Sequence, residues 1–272
     1  MGHAVRARLR RLAERVYADV LMPSRLGSYA ELLETALEAG YEVMGVGSFW
    51  SGREARQAET RRVLILRHDV DTDPRTAAAM WRVDQRLGIE SSYFFRLATL
   101  DADLAGRIAG AGGEASYHYE ELATIIKRRR LRSREGAIAA LPEARGMFAQ
   151  NVERLRAATG LPMRVVAAHG DFVNRRLSTA NWEILADPTF REKVGIDLET
   201  YDAGYLARLP SRFSDTLHPR YWEPSDPVTA IRAGEPVVSV LVHPRHWRAD
   251  PVGNVRDDAG RLADEIRYRL PG

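Results

Sequence analysis

The chain has no cysteine in its 272 residues. Disulfide scaffolds and thiolate-bound zinc are therefore excluded, and any bound metal must be held by histidine, aspartate or glutamate. No apolar run approaches the roughly 18 residues needed to span a bilayer. The opening segment, MGHAVRARLRRLAERVYADV, is charged throughout and offers no uninterrupted apolar core for a secretory signal. The expected location is cytoplasmic. No GxGxxG follows the first strand of the alternating region and no Walker A sequence occurs, which disfavours those two modes of nucleotide binding. Internal repeats and low-complexity tracts are also lacking. Charge of either sign is not in excess: 40 basic against 37 acidic residues leave +3 at pH 7, and this does not by itself argue for nucleic acid.

What is present is an ordinary globular composition, 45% hydrophobic and 28% charged. At this length a single α/β domain with an extension is expected. Residues 1–60 read as an N-terminal helical extension packed on a barrel formed by residues 61–272. In the extension, residues 4–21 predict a helix with Leu9, Leu12, Val16 and Val20 near one face, ended by Met22-Pro23-Ser24. Ser28 and Glu31 have capping-box spacing at the start of a second helix that stops near Gly40. These helices are read as capping the barrel or building a homo-oligomer contact. The polar stretch 51–61 predicts a loop.

Beyond it, strand and helix alternate. Short apolar runs at Val63–Leu66, Ser92–Phe95, Glu114–Tyr117, Arg164–Ala168 and Pro236–Val242 predict strands, with two more near 194–197 and 212–214. Helices are expected at Asp73–Gly88, where Pro74 suits the first helical position, and near 101–110, 119–160 with a break near Pro142, 175–186 and 255–269. Such alternation implies α/β architecture: a mostly parallel sheet with helices outside it, as a closed or nearly closed (β/α) barrel of about seven strands or, failing that, an open doubly wound sheet.

Parallel α/β folds carry their sites at the C-terminal ends of strands. Here those ends read Arg67-His68-Asp69-Val70-Asp71, Tyr117-His118-Tyr119-Glu120-Glu121, His169-Gly170-Asp171 and His243-Pro244-Arg245-His246. Five of the seven histidines lie there. Asp69 and Asp71 are like charges two residues apart, an arrangement a divalent cation would relieve; the alternative is a helix cap plus a surface acid. Gly170 suits a turn that approaches something closely, and Pro244 holds His243 extended. Trp247 and His246 are candidates for support or for a substrate wall, while His3 and His218 are expected to be incidental. Trp50, Tyr201, Tyr205 and Trp222 are candidates to line a sugar site. The basic run Lys127–Arg134 is read as a solvated face, with phosphate or an anionic membrane surface as the alternative.

Taken in order, the segments Val63–Leu97, Glu114–Leu122, Val165–Phe172 and Val237–Trp247 resemble the polysaccharide deacetylase superfamily (NodB homology, carbohydrate esterase family 4), in a divergent WbmS-like branch associated with surface polysaccharide or O-antigen. The resemblance implies a distorted (β/α) barrel and a metal-dependent hydrolase that removes an acetyl group from a sugar or polysaccharide precursor, the metal being Zn²⁺ or another divalent ion. It places Asp69 as catalytic base, Asp71 and His118 as metal ligands and His243 as general acid. The second histidine of the family's pair falls on Leu122, so His169, Glu120 or Glu121 is left to complete the metal shell; His169 is the preferred third ligand. Arg67 or Arg96 is expected to hold Asp69 ionised, Gly170 to offer a backbone N–H, and Asp215 to orient a histidine or bind sugar hydroxyls. Arg67, Arg96, Glu120, Gly170, Asp215 and Trp247 form the expected substrate surround. Two other functions share these features: a degenerate glycan- or partner-binding member of the fold, and an amidohydrolase acting on a small nitrogen compound.

Overall fold

The run Val63–Leu66 lies in the first half of the longest strand, β2 (Arg62–Val70), in which all residues but the first are buried. The computed structural model describes residues 2–52 and 61–270; most of the loop expected at 51–61 lies outside them. The other strands are β1 (Tyr41–Met44), β3 (Ser92–Phe95), β4 (Glu114–Tyr119), β5 (Val165–Ala168), β6 (Leu198–Glu199), β7 (Ser211–Asp215), β8 (Trp222–Glu223) and β9 (Val237–Val242). They form a single sheet in the order β6-β5-β4-β3-β2-β9-β7-β8, with β1 also paired to β2. Every pairing is parallel except β7 with β8.

The sheet curls. Tyr201, just beyond β6, stands 5.5 Å from the Arg67 guanidinium on β2. Four strand spacings of a flat sheet would put β6 about 19 Å from β2. The curl folds Val63, Ile65, Phe94, Val165, Ala167 and Leu198 into one inner core. The path of pairings ends at β6 and β8 rather than closing. The result is a half-barrel of mostly parallel strands with helices outside it, in keeping with the distorted, not fully closed (β/α) barrel expected from the sequence.

Strand alternation then decides which side chains meet. On β2, Val63 and Ile65 face the inner core, so Arg67 and Asp69 share that side, while Leu64 and Leu66 pack outward. On β5, Val165 and Ala167 face inward and Val166 and Ala168 outward. On β9, Val238, Val240 and Val242 pack outward, which leaves His243 on the inner parity. Burying one Leu or Ile stabilises by about 1.5–3 kcal/mol, and a one-residue slip would turn every one of these side chains to the wrong face.

Helices cover the outside. The Pro74–Leu87 helix begins where Asp73 accepts the Thr76 N–H at 2.9 Å and ends at Gly88 in the left-handed region (φ 68°). The long helical stretch expected over 119–160 is three helices, Glu121–Arg129, Arg134–Ala139 and Leu141–Thr159; Arg130 at φ 53° breaks the first. Residues 175–186 are likewise split, into Phe172–Leu177 and a 3₁₀ turn at Asn181–Ala186, and the strand expected at 194–197 lies at Leu198–Glu199.

Two expectations for the extension are corrected. It is not wholly helical, because Tyr41–Met44 pairs with β2 as strand β1. A Cβ on Gly45, which follows β1, would sit 2.7 Å from Ser92 Oγ. Glycine there lets the turn pass the start of β3, which shares the same edge of β2. Ser28 does not cap its helix, which begins earlier, at Leu26, and has no side-chain cap. Its entry is tied down instead by the Arg25 N–H, which donates to the Trp247 carbonyl at 2.7 Å. The first helix runs Gly2–Val16 and continues as a π-helical turn to Leu21. Among the described residues no helix is long and apolar enough to cross a membrane.

Candidate metal centre and flanking dyads

Asp71, His118 and His169 come from the ends of β2, β4 and β5. Each offers one ligand atom, all within 4.8 Å of one another. His118 Nε2 lies 3.1 Å from Asp71 Oδ1, and His169 Nδ1 lies 2.9 Å from the same oxygen. The two imidazole nitrogens are 3.2 Å apart. His118 Nδ1 is 2.9 Å from the Ala167 carbonyl, an acceptor, so that nitrogen bears the proton. In the neutral ring Nε2 therefore presents a lone pair towards Asp71. Asp71 Oδ1 is buried and has no hydrogen bond of acceptable geometry. A buried carboxylate oxygen without a hydrogen bond of acceptable geometry and two imidazole nitrogens thus meet at one point, an arrangement a cation would satisfy. Both titrations respond. Burial would raise the Asp71 carboxyl, but His169 and His118 hold it well below the ordinary range. His118 is shifted up, against burial, by Asp69 and Asp71.

On one side stands Arg67 with Asp69. Its guanidinium donates through Nε to Oδ1 at 2.8 Å and through Nη2 to Oδ2 at 2.7 Å, a buried bidentate pair. Burial alone would protonate Asp69; Arg67 and then His118 outweigh it and depress its pKa. Asp69 Oδ2 is 3.6 Å from His118 Nε2. Of the two arginines expected to hold Asp69, only Arg67 does so. Arg96 pairs with Glu120, with Nε at 3.0 Å, and donates to the Asp71 carbonyl at 3.2 Å.

His243, close enough to Asp69 and Asp71 to interact electrostatically with both, is paired with Asp215. His243 Nδ1 donates to Asp215 Oδ1 at 2.6 Å, and Asp215 Oδ2 accepts from the His243 backbone N–H and from Trp247 Nε1, each at 2.8 Å. Burial works to deprotonate His243, but Asp215 lifts it to about 9. His246 Nδ1 lies 3.1 Å from Asp215 Oδ1, so Asp215, His243 and His246 form a second group of possible metal donors. Both Asp215 oxygens already accept hydrogen bonds and His243 Nδ1 carries its proton, so this group is built as a protonated dyad and not as a ligand set.

Several expected site residues have other work. Glu120 is taken by Arg96 and Glu121 by Tyr117 and Asn151, so neither completes the triad. Leu122 is fully buried in the outer core, and His169 from β5 stands third in the triad. Trp247 is 1% exposed and supports Asp215 rather than walling a substrate. A Cβ on Gly170 would meet nothing within 4 Å, so no close approach within the chain calls for glycine there. Tyr205 and Trp222 are buried core residues, whereas Tyr201 is exposed beside Arg67. His218 bonds Tyr221 at 2.9 Å, away from the triad.

One nearby acid was not foreseen. Glu199, buried on β6, accepts from the Ala168 N–H at 2.9 Å and the Tyr201 N–H at 2.6 Å, and burial lifts its carboxyl to about 7. The strand-end rule would have found it had β6 been placed two residues later. An open groove of about 890 Å³ leads to the triad, with Asp71 and His169 in its wall together with Arg96, Lys127 and Arg256.

No protein-family model matches the chain, and no curated protein matches it. Among solved structures it is similar to a mutant CE4 family pseudoenzyme with restored enzymatic activity, at 12% sequence identity and a TM-score of 0.41. The match covers 76% of this chain and 65% of that one.

Proposed function

We propose that the chain is a metal-dependent hydrolase that removes an acyl group, such as acetyl, from a sugar of a surface polysaccharide or its precursor. The observation that carries the chemistry is the triad: a buried carboxylate oxygen and two imidazole nitrogens lie within 4.8 Å of one another, near a carboxylate held ionised and an imidazole held protonated. The sugar comes from the motif resemblance to polysaccharide deacetylases. Asp71, His118 and His169 would hold a divalent ion, and an oxygen–nitrogen donor set with an open side suits Zn²⁺. When bound, such an ion supplies Lewis acidity to the acyl carbonyl and to water.

The chain's own residues do the rest. Asp69, kept as carboxylate by Arg67, takes the proton of the attacking water as general base. Both its oxygens keep a lone pair beyond the arginine bonds. His243, with Nδ1 fixed on Asp215, presents Nε2–H to the leaving amine or hydroxyl as general acid. Its elevated pKa keeps that proton in place through neutral pH. Arg96, anchored on Glu120, lines the groove where the sugar would lie.

Hydrolysis of an acetylated sugar oligomer by the purified chain, before and after chelation and on re-addition of Zn²⁺, tests this reading. Activity lost on chelation and restored by zinc is expected. Full activity in the chelated protein, or none with zinc on any acylated sugar, would overturn it.

A further inference from the structure

The two terminal helices present apolar stripes to solvent. On Gly2–Val16, residues Val5, Leu9, Leu12 and Val16 are spaced for one helical face and are 46–60% exposed. On Pro251–Arg269 and the residue after it, Val252, Val255, Leu262, Ile266 and Leu270 share a flank and are 49–80% exposed. The inner face of this second helix is different: Asn254 and Tyr268 are 1% exposed. A soluble helix buries its apolar stripe; here both stripes are left out. Contiguous exposed apolar surface of this kind marks an interaction site.

The helices are joined on their polar sides at the mouth of the groove. Arg15 donates to Asp258 at 3.0 Å, Asn254 donates to the Asp19 carbonyl at 3.0 Å, and Arg245 bridges Asp19 and Asp258. Arg15 and several residues of Pro251–Arg269 line the same groove as Asp71 and His169.

Charge selects the occupant. The Gly2–Val16 helix carries five arginines and one glutamate in its sequence. A symmetric contact between two copies would bring this arginine-rich helix against its own like net charge, and like charges brought together oppose association. An anionic bilayer surface attracts them, while the valine and leucine stripe enters the boundary between headgroups and acyl chains. We propose that the two terminal helices dock the chain on an anionic membrane surface through these apolar stripes. Because the stripes lie outside the metal centre, docking and hydrolysis are separable.

Flotation of the full chain with vesicles of phosphatidylglycerol and phosphatidylcholine, compared with phosphatidylcholine alone, tests the proposal. Binding to the anionic vesicles, weakened by high salt, is expected. The double variant Leu9→Glu/Leu12→Glu should lower partitioning about tenfold or more, and Ile266→Glu and Arg6→Glu should each lower it further or independently. Hydrolysis of a water-soluble acylated sugar should not change in these variants, and their thermal midpoints should match the parent because the replaced side chains are exposed. No flotation, flotation unaffected by all three variants, or a lipid-free dimer that the same substitutions split would overturn the proposal; the last result would make a second copy the occupant.

Discussion

β2 sends neighbouring residues into two polar clusters of similar composition. Asp69 faces the inner side and the candidate metal centre. His68 faces outward, into a core network in which Asp84 accepts from Ser91 Oγ at 2.6 Å and Tyr93 Oη at 2.7 Å, with Tyr29 Oη at 2.5 Å. Tyr29 Oη also lies 2.8 Å from His68 Nε2, and His68 Nδ1 is 3.1 Å from the Ser92 carbonyl. His68 stacks on Tyr93 with ring centroids 3.9 Å apart. This network is closed: every polar atom of Asp84 and His68 has a partner, and both residues are fully buried. Burial pushes His68 down to about 3 and Asp84 up to about 6, towards neutral forms of both. The candidate metal centre is the reverse. Asp69 and Asp71 are held ionised by their neighbours, Asp71 Oδ1 has no hydrogen bond of acceptable geometry, and a groove reaches it. Residue type alone does not separate a structural cluster from a site; saturation of hydrogen bonds does.

Substitutions on the two faces should therefore separate rate from stability. The largest effect is expected at Asp69. Asp69→Asn should lower kcat by about 10²–10⁴-fold, the usual reach of general acid–base catalysis, with metal content unchanged by elemental analysis. An active Asp69→Asn protein would remove the base from the account. Asp84→Ala is its counterpart. It strips the acceptor from buried hydroxyls and should cost about 2–4 kcal/mol in urea-unfolding stability, while the folded fraction keeps its metal and its turnover. Loss of metal from that variant would dissolve the contrast between the clusters.

A smaller effect is expected at Asp215. Asp215→Asn should reduce kcat about 10–100-fold, as the loss of an outer partner of a functional histidine does. The pH dependence follows the same pair. His243 has a folded pKa raised to about 9, so its contribution to stability is complete below the unfolded value near 6.5. That contribution is lost as pH rises through about 9. Titration of the His243 ring by NMR in the metal-free protein should show the high midpoint. In Asp215→Asn the midpoint should fall, and a midpoint unmoved by that substitution would contradict the pairing.

Much of this was legible before any coordinates. The short apolar runs at Val63–Leu66 and Pro236–Val242 were legible as strands from their length and flanking residues, and the histidines at strand ends marked a candidate site because parallel strands all point their ends one way. The convergence of Asp71, His118 and His169 was legible for that reason, and the helix start at Asp73-Pro74 was legible from the proline. Other features depend on distance along the folded sheet. Nothing near Asp84 in sequence announces Tyr29, which is 55 residues away. The opposite roles of His68 and Asp69 require knowing which side of β2 meets the curled sheet. The strand at Tyr41–Met44 was hidden because a mixed Tyr-Glu-Val-Met run carries little apolar signal by itself and is stabilised by its pairing with β2. Arg67 and Arg96 were equal candidates on paper; the inward parity of Arg67 with Asp69 decided between them.

Zinc titration of the metal-stripped chain by calorimetry tests the central claim most directly. The account predicts a single equivalent bound per chain, abolished in His118→Ala and retained in Asp84→Ala. Absence of binding, equal binding in His118→Ala, or a second equivalent lost with His246→Ala would contradict it.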